Sequence, residues 1–235
     1  MKTENFAQSS EIQDEDISTN DLSKPRLRGV SHLIGAIVAL PMSWVLYHSS
    51  TAEHSLGALI YSFSLVGLLA TSATYHVPQW NPTSRAIMRR IDHAMIFVLI
   101  GGSYTPFLLA LWDKIHPIYA ILILGGCALG FVRSLISKPQ SSSRSKPLRA
   151  LTYGSLGVSG VLLTSPMYEH FGPYPISMIL IGGAVYLTGA MAYAFKRPNP
   201  IQGTFEYHEV FHTFVLIAAA IHYLAIEDLV TRSSS

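Results

Sequence analysis

Late in the chain, EYHEVFHTFVLIAAAIHYLAI (206–226) sets His208 and His212 four residues apart at the mouth of an apolar run. Residues at that interval share one face of a helix, so the spacing would aim two imidazoles at one point. TSATYH (71–76) couples Ser72 to His76 by the same interval, and RRIDHAM (89–95) supplies Asp92. Three imidazoles and a water make a tetrahedral zinc site with one open position, the form that catalysis uses. Zinc in such a site would make water nucleophilic near neutral pH and polarise a carbonyl oxygen. Asp92 would accept the proton of that water, and Ser72 would donate a hydrogen bond to a developing oxyanion. Imidazole donors suit Zn²⁺ and disfavour Mg²⁺ and Ca²⁺, which prefer oxygen ligands.

These residues can meet only if separate helices bring them to one place. The 235 residues are 49% hydrophobic and 13% charged, about half the charged fraction of a soluble domain. The apolar blocks predict an all-α polytopic membrane protein with transmembrane spans near 29–48, 56–77, 87–111, 116–136, 149–167, 174–195 and 208–227, each close to the 20 residues a crossing needs. The fifth is the weakest, because TYGSLGVSGVLLTSP is rich in glycine and serine; without it there would be six. A lone cysteine, Cys127, excludes a disulfide framework and a cysteine-based metal site.

Charge sets the orientation. Lys2, Lys24, Arg26, Arg28, Arg85, Arg89, Arg90, Arg133, Lys138, Arg144, Lys146, Arg149, Lys196 and Arg197 fall on one side of a seven-span arrangement, with only Lys114 and Arg232 on the other. Basic residues near span ends mark the cytoplasmic face, so the expectation is a cytoplasmic N-terminus, an outward C-terminus and a place in the plasma membrane. Removing the fifth span would move Lys196 and Arg197 outside, so the pattern argues for seven. Residues 1–25 read as a disordered acidic cytoplasmic tail, 26–230 as the seven-helix domain and 231–235 as a short polar tail. The tail has no basic start followed by an apolar core, so a cleaved secretory signal is not expected. The basic clusters are too short and too near the membrane for nucleic acid.

With that topology, the second, third and seventh spans deliver Ser72, His76, Asp92, His208 and His212 to one depth near the cytoplasmic face. Ionisable residues at such a depth are expensive and mark function. His32, His93 and His222 read as packing residues, His222 lying about 15 Å beyond His212 along the axis. His48, His54, His116 and His170 fall near the outer boundary. HEVFH (208–212) also satisfies H-E-x-x-H, the metalloprotease signature with Glu209 as base. The downstream acids that a third protease ligand calls for, Glu227 and Asp228, lie at the opposite membrane face, so Glu209 is expected beside the site and outside the chemistry.

SATYH, RRIDHAMIFVLIGGSYTPF, GAVYLTGAMAYAFKRPNP and YHEVFHTFVLIAAAIHYLAI together resemble the hemolysin III family, the bacterial branch of the progestin and adipoQ receptor superfamily. SHLIGA, with His32, resembles its N-terminal motif, and the likeness covers roughly residues 26–227. The resemblance implies seven helices with zinc near the cytoplasmic side, His76, His208 and His212 as ligands, and Asp92 and Ser72 acting around the bound water. Alkaline ceramidase-like members of the superfamily imply hydrolysis of a lipid amide or ester entering from the bilayer. Two other functions stay open: a non-enzymatic membrane sensor or regulator of lipid homeostasis with structural zinc, and a cytolytic pore or transporter. Polar residues crowded at one face, with apolar central bands, argue against an open channel.

Overall fold

The computed structural model describes residues 25–136 and 145–232, with side chains from 151 onward in the second stretch. The acidic tail through residue 24, the basic loop at 137–144 and the last three residues lie outside the described residues. The described chain is all-α. It runs α1 (Val30–Ser49), α2 (Ser55–His76), α3 (Pro82–Ala110), α4 (Ile118–Ile136), α5 (Ser145–Val158), a 3₁₀ turn (Ser159–Leu163), α6 (Thr164–Phe171), α7 (Pro173–Phe195) and α8 (Tyr207–Val230). Among the described residues, six helices are long and apolar enough to cross a membrane: α1, α2, α3, α4, α7 and α8.

The fifth predicted span is instead divided into α5, the 3₁₀ turn and α6. Glycine weakens a helix interior by about 1 kcal/mol, and Gly154, Gly157 and Gly160 cluster where the helix tightens. The tightening frees carbonyls that need partners in an apolar setting. The Tyr104 hydroxyl of α3 lies 3.0 Å from the Leu156 carbonyl and 2.6 Å from that of Gly157, and Ser159 Oγ donates to the Leu156 carbonyl at 2.6 Å.

Other boundaries follow local chemistry. Asn81 caps α3 by accepting from the Ser84 amide at 2.8 Å, and Pro82, the first helical residue, needs no partner for a missing N–H. This start lies five residues before the predicted one. A reciprocal pair, Glu206 and Glu209, caps α8.

Apolar side chains face outward as well as inward, and a few polar ones are enclosed with the hydrophobic core. Phe195 and Leu129 are 76% and 74% exposed, while Ser62, Ser64, Ser72, His32, His76, Glu209 and His212 are buried. Small residues set the close contacts between helices. Gly57 of α2 rests on Pro106 of α3, and Gly102 of α3 on Ser64 of α2, so these helices run antiparallel. Gly130 of α4 sits on Phe97 of α3, and Gly126 on Leu156 of α5. Gly182 and Gly189 of α7 meet His222 and Phe214 of α8, again antiparallel. Gly35 of α1 touches Leu216 of α8, and Tyr223 donates to the Met42 carbonyl, so α1 and α8 run side by side in one direction. This register brings the starts of α1, α3 and α8 and the ends of α2 and α7 together at one end of the bundle.

Candidate metal centre

His76 is the last residue of α2, and its Nε2 lies 3.3 Å from Nε2 of His208 in the first turn of α8. His212, one turn on, has its ring centroid 4.7 Å from that of His208 and 5.1 Å from that of His76. Each histidine offers a ring nitrogen within 4.8 Å of the others; His76 and His212 are buried and His208 is partly so. In a tetrahedral site with Zn–N near 2.0–2.1 Å, two nitrogens stand about 3.4 Å apart. The His76–His208 separation matches that edge. A borderline-soft cation with three imidazoles suits this donor set, and the residues present fit zinc.

The remaining predicted residues converge on the same place. A cavity of about 70 Å³ beside the histidines is lined by Ser72, Asp92, His208 and His212, together with His32, His93, Tyr193 and Phe211. That volume admits several waters. Ser72 is buried, and the Asp92 side chain is 14% exposed with Oδ2 3.3 Å from His93 Nδ1. His222 lies away from this group: its Nε2 is 3.2 Å from the Ile179 carbonyl, and Tyr186 packs edge-on against it.

Two histidines read from sequence as packing residues also line this cavity. His93 contacts Asp92 and lines the cavity. His32 of α1 stacks flat on His212, with centroids 3.8 Å apart and ring planes 7° from parallel. The signal available for His32 was its depth at the start of the first helix, level with the starts of α3 and α8. Helix azimuth, which decides which residue faces which neighbour, is not encoded in depth.

Glu209 is 2% exposed. One carboxylate oxygen accepts from Arg28 Nε at 2.7 Å, and the other accepts from the Glu206 amide at 2.9 Å. Both oxygens of the H-E-x-x-H glutamate are therefore committed to holding the start of α8. Gly29, with φ at +84°, passes so close to α2 that an added Cβ would stand 2.6 Å from His76 Cβ. The stretch Arg28-Gly29-Val30-Ser31-His32 thus touches both helices that carry the three histidines.

A family model described as haemolysin-III related matches residues 20–223. Hemolysin-3 of Bacillus cereus is 28% identical over 218 residues, covering 88% of this chain and 91% of that protein. The Hemolysin-3 homolog of Bacillus subtilis (strain 168) is 27% identical over 201 residues, covering 84% and 90%. Progestin and adipoQ receptor-like protein 1 of Caenorhabditis elegans is 29% identical over 220 residues, 85% of this chain and 50% of its own length. The matched region takes in every helix end that meets at the histidines, and the chain belongs to the haemolysin III family within the progestin and adipoQ receptor superfamily.

Proposed function

We propose that this protein is a zinc-dependent membrane hydrolase acting on a lipid amide or ester. The observation that carries the reading is the buried His76–His208–His212 group beside a cavity that Asp92 and Ser72 also line. Bound there, zinc supplies a Lewis acid and acidifies water. The protein's own residues do the rest. Asp92, whose carboxylate lies 3.3 Å from His93 Nδ1, accepts a proton from the attacking water. Ser72 donates a hydrogen bond to the carbonyl oxygen as negative charge develops there. Tyr193 and Phe211 form an apolar wall that limits entry of bulk water.

The same reading gives the chain seven passes, with the N-terminus and the metal centre on the cytoplasmic side of the plasma membrane. Phe97 of α3 meets Tyr153, and Tyr104 reaches Leu156 and Gly157, so α5 runs alongside α3 away from the histidines. Tyr174, at the start of α7, sits with Leu224 and Glu227 near the end of α8. The segment Ser145–Phe171 therefore carries the chain from the histidine end of the bundle to the other end, which supports counting it as a pass. Arg26, Arg28, Arg85, Arg89, Lys196 and Arg197 cluster toward the histidine end, the expected cytoplasmic bias.

The test is metal content of the detergent-purified protein by mass spectrometry, wild type beside His76→Ala and His212→Ala, followed by hydrolysis of a fluorescent ceramide and a fluorescent acyl ester. About one zinc per chain, lost in both variants, with turnover that follows the metal, is the expected result. Zinc without turnover of either lipid class would leave a structural zinc in a membrane sensor. No metal in wild type prepared without chelator would sink the reading altogether.

A further inference from the structure

We infer that His32 is a positioning residue of the metal centre, its ring fixing the plane in which His212 offers its nitrogen. The inference rests on the metal reading above and not on hydrolysis. Histidines that bind metals almost always donate their second ring nitrogen to a carbonyl, carboxylate or water, and that bond sets the ring's orientation. His212 Nδ1 is buried with no such partner among the described residues. Rotation about the imidazole χ2 has broad wells, so something else must hold the ring. The face of His32 lies 3.8 Å away and 7° from parallel, and the two side chains are 3% and 2% exposed.

His32 is badly placed to be a fourth ligand. An imidazole binds an ion in the plane of its ring. With planes nearly parallel and 3.8 Å between centroids, an ion in the His212 plane faces the π surface of His32 and misses its lone pairs. Neither is His32 held by hydrogen bonds of its own, since both ring nitrogens are buried and unpartnered among the described residues. What it offers His212 is a flat surface on α1, a helix locked to α8 by the Arg28–Glu209 pair and by Tyr223 on the Met42 carbonyl.

A positioning role through the stack makes a specific demand: a flat apolar ring should substitute for His32, and an aliphatic side chain of similar bulk should not. The experiment is titration of the metal-free full chain in detergent with Co²⁺, read by affinity and by the visible ligand-field bands that report donor geometry. Wild type and His32→Phe are expected to bind one cobalt with the same band shape. His32→Leu, which keeps the volume and should fold, is expected to bind 10- to 100-fold more weakly, the usual cost of losing an orienting partner, with altered bands. Unchanged affinity and bands in His32→Leu would overturn the proposal, as would His32→Phe failing as badly as His32→Leu, since the nitrogens and not the stack would then matter. Wild type that binds no cobalt would instead overturn the metal reading on which the proposal rests.

Discussion

Arg28 Nε stands 2.7 Å from Glu209 Oε1, tying the segment before α1 to the first turn of α8 between the two histidines of HEVFH. The other Glu209 oxygen closes the cap on the Glu206 amide at 2.9 Å, and Glu206 in turn accepts from the Gly203 amide at 2.9 Å. Backbone bonds from Arg26 to Gly203 and from Leu27 to Thr204 run beside this pair. A carboxylate so fully engaged is a strut. Glu209→Gln should retain the cap acceptor but strand the Arg28 charge, lowering stability by about 1–3 kcal/mol. Thermal unfolding in detergent should show that loss while metal content stays near wild type. A variant of normal stability that had lost all turnover would return Glu209 to the chemistry as its base.

Asp92 should behave in the opposite way. Asp92→Asn removes the proton acceptor without touching the three imidazoles. Zinc content should hold, and turnover should fall by about 10²- to 10⁴-fold, the range for a general base. Ser72→Ala should cost about 10²-fold in turnover with metal retained, the effect of one oxyanion donor. Turnover unchanged in Asp92→Asn would remove Asp92 from the mechanism, and with it the reason for calling the cavity catalytic.

Gly29 tests whether backbone placement before α1 reaches the metal. Its φ of +84° is left-handed, a conformation that costs a non-glycine residue roughly 1–2 kcal/mol. An added Cβ would also press on His76 Cβ at 2.6 Å. Gly29→Ala should therefore weaken cobalt binding measurably, because His76 must shift. Wild-type affinity in this variant would mean that the end of α2 moves freely enough to absorb the contact.

Much of this arrangement was legible in the sequence, for a physical reason. Hydropathy over 20 residues and the distribution of Lys and Arg fix which residues share a depth, and depth alone gathered Ser72, His76, Asp92, His208 and His212. The break in the fifth segment was signalled by the glycines and serines of 152–166. Three things were not legible. The part that Tyr104 plays in meeting the freed carbonyls depends on a contact more than fifty residues away in sequence. The capping pair Glu206–Glu209 was masked by a protease-like string that uses the same glutamate. His32 and His93 share the depth of the other site residues, but their inward faces depend on helix rotation, which packing against Leu216, Leu69 and Phe97 decides.

The seven-pass reading makes the most direct prediction about the chain as a whole. In a Cys127→Ser background, single cysteines at Asp113, Tyr174 and Gln202 occupy exposed positions in the α3–α4 connection, at the α7 start and in the α7–α8 connection. A membrane-impermeant maleimide applied to intact cells should label Asp113→Cys and Tyr174→Cys, and should reach Gln202→Cys only after permeabilisation. If Ser145–Phe171 does not cross, an odd pass is lost and the pattern splits: Asp113→Cys stays outside while Tyr174→Cys becomes protected and Gln202→Cys becomes accessible. That outcome would place Lys196 and Arg197 outside, against the basic bias. It would also put His76 at one face and His208 at the other, which their 3.3 Å separation forbids. Labelling at Tyr174 therefore tests the topology and the metal centre together.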